Sequence, residues 1–225
     1  MLTASLLMMA GQTVLHSAEV KAQLVVDSGE AATHKSRNVP SAVIWLKPIQ
    51  SDAVSAVAPG KFTLLQKNKM FTPHLLVVPV GSSVAFPNGD PFFHNVFSLF
   101  DGKRFDLGLY EAGSTRSVIF SREGVSYIFC NIHSEMSAVV IALDTPFYSI
   151  ADPQGTFRIQ DVPNGDYSLH VWIEGQAQNS LDQLTRRVHI AGTAIALGDI
   201  HAGIPKRQHL NKFGRPYEPD SVPTY

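Results

Sequence analysis

The sequence predicts an all-β protein built from two β-sandwiches, one inserted in the other, and three observations carry that expectation. Short runs of alternating apolar and polar residues, rich in β-branched types, recur along most of the chain. Gly, Pro, Asn and Asp punctuate them, as at Asp152-Pro153-Gln154-Gly155 and Pro163-Asn164-Gly165-Asp166, where residues tolerant of positive φ permit tight turns. Only residues 179–184 read as a helix, and that spacing of strands argues against an α/β enzyme.

In chain order, residues 1–18 come first. An uncharged apolar stretch followed by small residues has the order of a secretory signal peptide, although the basic leading segment is missing, which a start codon placed slightly late would explain. Predicted strands follow at 21–27 and 42–46, then at 75–80, 83–86, 116–120 and 125–129, and finally at 156–159, 167–173, 186–190 and 194–200. Residues 204–225 mix four basic residues with four prolines and show no periodicity, so they read as an extended tail.

Composition removes several functions. The 225 residues hold 18 Lys+Arg against 19 Asp+Glu, a formal net charge of -1, and only 16% are charged. That balance offers no footprint for phosphate backbones, so no nucleic-acid partner is expected. No apolar run reaches the roughly 18 to 20 residues that span a bilayer, so no integral membrane span is expected either. A single cysteine excludes an internal disulfide framework and every multi-cysteine zinc motif.

That cysteine opens the segment Cys130-Asn131-Ile132-His133-Ser134-Glu135-Met136, directly after a predicted strand. A thiolate, an imidazole and a thioether are soft or borderline donors suited to copper, and two His with one Cys and a distant axial Met make a blue-copper set. One more His is then required. A nucleophilic Cys130 with His133 as its base is the alternative, but it leaves Met136 without a role. Among the nine histidines, His94 stands out in Phe86-Pro87-Asn88-Gly89-Asp90-Pro91-Phe92-Phe93-His94-Asn95-Val96-Phe97.

Together these segments resemble the cupredoxins, in which an Asn precedes an H-N-V element holding the first His ligand and a C-x2-H-xn-M loop closes the domain. The two-residue gap before Met is most similar to amicyanin and the plastocyanin-like proteins of the methylamine utilisation type. The resemblance covers roughly residues 62–145, including Phe105-Asp106-Leu107-Gly108 and the strand from Gly113 to Phe120. It implies a Greek-key β-sandwich with one type 1 copper site, His94, Cys130 and His133 being equatorial ligands and Met136 axial. Ile132 and Glu135 depart from the Pro and the apolar residue common at those places, which affects the partner surface and leaves the ligands intact. Asn95 either ties the first ligand segment to the Cys130 loop or satisfies local backbone. His74 reads as hydrogen-bonded structure at a strand entrance.

The flanks, with Asp152-Pro153-Gln154-Gly155 before one strand and Pro163-Asn164-Gly165-Asp166-Tyr167 before the next, look like the transthyretin-like, carboxypeptidase regulatory-like sandwich. Two strands from 19–50 are too few to stand alone. The expected organisation is therefore a sandwich split between 19–61 and 146–203, with the copper domain, 62–145, inserted. Two successive domains, the first strands joining the copper-domain sheet, are the alternative.

The expected function is single-electron transfer in the periplasm with a protein redox partner, and not enzymatic catalysis: a multicopper oxidase or nitrite reductase would need further His clusters. A copper carrier or store using the same residues is one alternative. A sandwich binding module with a degenerate copper site is another, with Trp45 and Trp172 as its stacking residues, although alternating apolar positions favour core packing for both.

Overall fold

A computed structural model describes residues 17–27, 39–50, 57–99 and 102–203. Most of the predicted signal peptide, residues 1–16, and the whole predicted tail, 204–225, lie outside the described residues. Strand β1 (Ser17–Val26) begins two residues inside the stretch read as a leader, because the alternation of buried and exposed residues runs through Ala18, which is 1% exposed.

Seventeen strands and one short helix are described. β1 is the centre of a three-stranded sheet, antiparallel to β14 (Thr156–Pro163) and parallel to β17 (Ala194–Ala202). β2 (Ala42–Pro48) lies between β13 (Tyr148–Ile150) and β15 (Gly165–Ile173), and β16 (Arg186–Ile190) closes that second sheet. Val20, Leu24, Phe157 and Ile159 of the first sheet and Ile44, Leu46, Leu169 and Trp172 of the second share one core. Helix α1 (Gln178–Leu184) covers its end through Leu181, 3% exposed. At the turn before β14, Gly155 takes φ +81°, a conformation that costs glycine little.

Everything between β2 and β13 forms other sheets. β6 (Leu75–Pro79), β12 (Ser137–Leu143), β11 (Gly124–Cys130), β8 (His94–Ser98) and β9 (Phe105–Tyr110) lie in that order. Opposite them stand β10 (Thr115–Ile119), β7 (Ser83–Pro87) and β3 (Lys61–Thr63), and β4 (Leu65–Lys67) pairs with β5 (Met70–Thr72) as a hairpin. Val84, Phe86, Val96, Phe120, Ile128 and Val140 fill the core between them.

The two cores meet along β12. Successive side chains of a strand point to opposite faces, so Val139, Ile141 and Leu143 enter the first core while Ala138, Val140 and Ala142 enter the second. Polar contacts bracket this seam. Trp172 Nε1–H donates to the Tyr127 hydroxyl at 3.0 Å, His74 Nε2 lies 2.7 Å from Glu174 Oε1, and Lys47 Nζ lies 3.1 Å from Asp144 Oδ2. Trp172 is therefore a core residue, whereas Trp45 is half-buried and stacks on His170 with ring centroids 5.3 Å apart. Among the described residues, no helix is long and apolar enough to cross a membrane.

Candidate metal centre

β11 ends on Cys130, and its neighbour β8 starts on His94, so antiparallel pairing of Cys130 with Val96 brings the two side chains to one end of the central sheet. The chain then turns back at once. Met136 N–H donates to His133 O and Cys130 N–H to Met136 O, both at 3.1 Å, which closes the loop and starts β12. His133 thus folds over Cys130.

The donor atoms converge. His94 Nδ1 and His133 Nδ1 each lie 3.6 Å from Cys130 Sγ, and the three ligand atoms fall within 4.8 Å of one another. Bonds of about 2.0 Å to imidazole nitrogen and about 2.3 Å to thiolate, set about 120° apart, place N and S about 3.7 Å from each other, so the set fits one metal ion. His94, Cys130 and Met136 are each fully buried, and His133 is half-buried. Met136 packs in the same core cluster as Cys130. Its thioether belongs with a soft metal and offers little to Mg²⁺ or Ca²⁺.

Electrostatics favour a thiolate here. Burial pushes the Cys130 thiol up, but the His94 ring and the backbone N–H groups of Asn95, Ile132 and His133 more than offset it, and its pKa falls below the ordinary value. Burial likewise pushes His94 down, while Cys130 and Asp90 outweigh it and raise the ring. For Asp90, burial raises the carboxyl, but hydrogen bonds from Lys69, His94 and Asn68 hold it below the usual range.

Of the residues singled out in the sequence, His94, Cys130 and His133 come together, and Met136 lies in the adjoining core. Main chain, and not the Asn95 side chain, ties the two segments: Asn131 N–H donates to Asn95 O at 3.2 Å. Its side chain turns instead to Asp106 Oδ1, 2.6 Å away on β9. His74 bonds Ser137 O at 3.1 Å and Glu174, away from the cluster. His189 and His201 pair with Asp166 and Asp27. Sequence reasoning gave no role to Asp90, which touches His94; a carboxylate four residues before a ligand was the signal available.

No family model and no curated relative matches this chain. Solved structures similar to part of it include a purple cupredoxin from Nitrosopumilus maritimus, 25% identical over 36% of this chain and 98% of that one, with a TM-score of 0.33. A Cu(I) amicyanin mutant is 15% identical over 40% of this chain and 97% of its own, with a TM-score of 0.35. A Cu-containing nitrite reductase from Thermus scotoductus SA-01 is 22% identical over 44% of this chain and 26% of its own, with a TM-score of 0.37.

Proposed function

We propose that this protein is an exported, periplasmic type 1 copper protein that carries single electrons and performs no catalysis of its own. The observation that supports it most is the placement of two imidazole Nδ1 atoms 3.6 Å from one buried cysteine sulfur. His94, Cys130, His133 and Met136 would hold the metal, and the bound copper would supply a one-electron couple. The chain's own part is to hold those donors before metal arrives. The sheet fixes His94 and Cys130, and Phe92 packs its ring against both imidazoles, 5.3 Å from His94 and 5.5 Å from His133. A donor set that cannot relax to the preference of either oxidation state keeps reorganisation small. Copper titration of the purified protein tests the reading: one equivalent should turn it blue, and a colourless one-to-one complex overturns it.

Electrons leave, in this reading, through the half-buried His133 edge. Phe93 and Ile132, 55% and 44% exposed, and exposed Pro91 adjoin the ligands in sequence and would form an apolar surface there, whereas half-buried Phe92 packs against both rings. Glu135 adds an exposed carboxylate beside it. Electron-transfer rates with small redox probes should therefore favour a cationic probe over an anionic one at low salt. The preference should shrink with Glu135→Gln and as the Debye length contracts from about 10 Å at about 0.1 M to about 3 Å at about 1 M. Equal rates for both probes in both proteins remove Glu135 from the exit.

The organisation proposed is a copper domain, 62–145, inserted in a sandwich made by 19–61 and 146–203. Joining residue 60 to residue 146 through a short Gly-rich linker should leave a folded β protein that binds no copper. It should be less stable than the whole chain, because Val77, Val139, Ile141 and Leu143 leave the core. Circular dichroism and denaturant titration check this. An unfolded product, with residues 19–145 alone folded and copper-binding, would favour two successive domains.

A further inference from the structure

Behind His94, at the ring nitrogen that does not face Cys130, lies a buried carboxylate. Asp90 is 4% exposed, and its Oδ2 is 3.0 Å from Nε2 of the fully buried His94. The same carboxylate accepts two backbone hydrogen bonds, from Asn68 N–H to Oδ1 at 2.7 Å and from Lys69 N–H to Oδ2 at 3.0 Å. Both donors occupy the turn of the β4–β5 hairpin with φ of 55° and 56°. Successive N–H groups in such a turn make a concavity that suits an anion. Asp90 N–H in turn donates to Asn88 Oδ1 at 3.0 Å, which fixes where the carboxylate starts.

Counting donors and acceptors decides the tautomer of His94 once its ring is neutral. An ionised carboxylate only accepts, so the proton shared in this contact sits on Nε2, and a neutral imidazole has no second N–H. In that neutral ring Nδ1 is a lone pair, whereas the protonated ring, which lowers the Cys130 thiol, donates from it; Nδ1 is the atom 3.6 Å from Cys130 Sγ. A ring held from behind in this way presents the tautomer and the plane that ligation through Nδ1 requires.

We propose that Asp90 is a positioning residue for the metal centre. It selects the Nε2–H tautomer of His94, fixes the ring and places a buried negative charge behind the ligand that favours Cu(II) over Cu(I). The potential would then be lower than the four donors alone would set. The part about copper rests on the type 1 reading above; the part about the tautomer does not.

Long-range proton–nitrogen NMR of the metal-free protein, at a pH high enough to keep the ring neutral, should find His94 protonated at Nε2 and bare at Nδ1. Asp90→Asn should mix the two tautomers, because an amide can accept or donate. In the copper-loaded Asn variant the visible band should remain, Cu(II) affinity should fall about 10- to 100-fold, and the potential should rise by about 59 mV for each tenfold loss of Cu(II) relative to Cu(I). A carboxylate that served only to cap the hairpin turn would change stability and leave tautomer and potential where they were, and that result overturns the proposal. So does a proton on Nδ1 in the wild-type protein, a measurement that stands even if the variant does not fold. An Nε2–H tautomer in a protein that binds no copper would remove the type 1 reading and keep the role of Asp90 in the tautomer.

Discussion

Replacing Cys130 with Ser is expected to abolish the intense visible band of the copper-loaded protein while the β fold persists. The band requires a short copper–thiolate bond, and Cys130 is the sole cysteine in the chain, so no other thiolate can take its place. Serine keeps nearly the same shape in a fully buried position and replaces a soft donor by a hard one that stays protonated. Absorption and electron paramagnetic resonance spectra of protein loaded with one equivalent of copper check the outcome. Met136→Leu is the matched control: on the proposed type 1 reading the band remains and the potential rises, because the thioether donor is lost. A Cys130→Ser protein that stays blue would put the chromophore elsewhere.

Trp172→Ala should be the most damaging change outside the metal centre. The ring is 1% exposed and lies in the core shared by the sheet of β1 and the sheet of β2, and its Nε1–H bond to Tyr127 crosses to β11. Truncating a buried aromatic of this size costs about 3 to 5 kcal/mol through lost transfer energy and the cavity left behind. Urea unfolding followed by near-ultraviolet circular dichroism measures it, and the folded fraction should bind copper with an unchanged spectrum because Trp172 does not belong to the ligand core. A loss below about 1 kcal/mol would mean that the ring is not packed as described.

Where one face of a strand is buried and the other wet, the sequence records it. β1, β14 and β15 alternate in burial and were readable as strands. β12 escaped because Ala138 to Leu143 are all buried, on two faces against two different cores, and a continuous apolar run carries no period of two. The β4–β5 hairpin is only three residues a side and too short to show a pattern.

The candidate site divides along the same line. Cys130, His133 and Met136 lie within seven consecutive residues, so donor chemistry and spacing pick them out without knowledge of any other part of the chain. His94 is 36 residues from Cys130, and resemblance alone selected it among the other histidines; the pairing of β8 with β11 is what brings it to 3.6 Å. The Asp90 contact to His94 spans four residues, yet the turn that holds the carboxylate comes from 21 and 22 residues upstream. By itself the sequence determined the donor types, the loop that carries most of them and the all-β class, because each is written in neighbouring residues. The tertiary structure alone decided which strand lies beside which, the parallel pairing of β1 with β17 and the carboxylate behind His94. Periodicity along a strand reports that a face is covered, and only the folded chain, by closing loops many residues long, chooses what covers it.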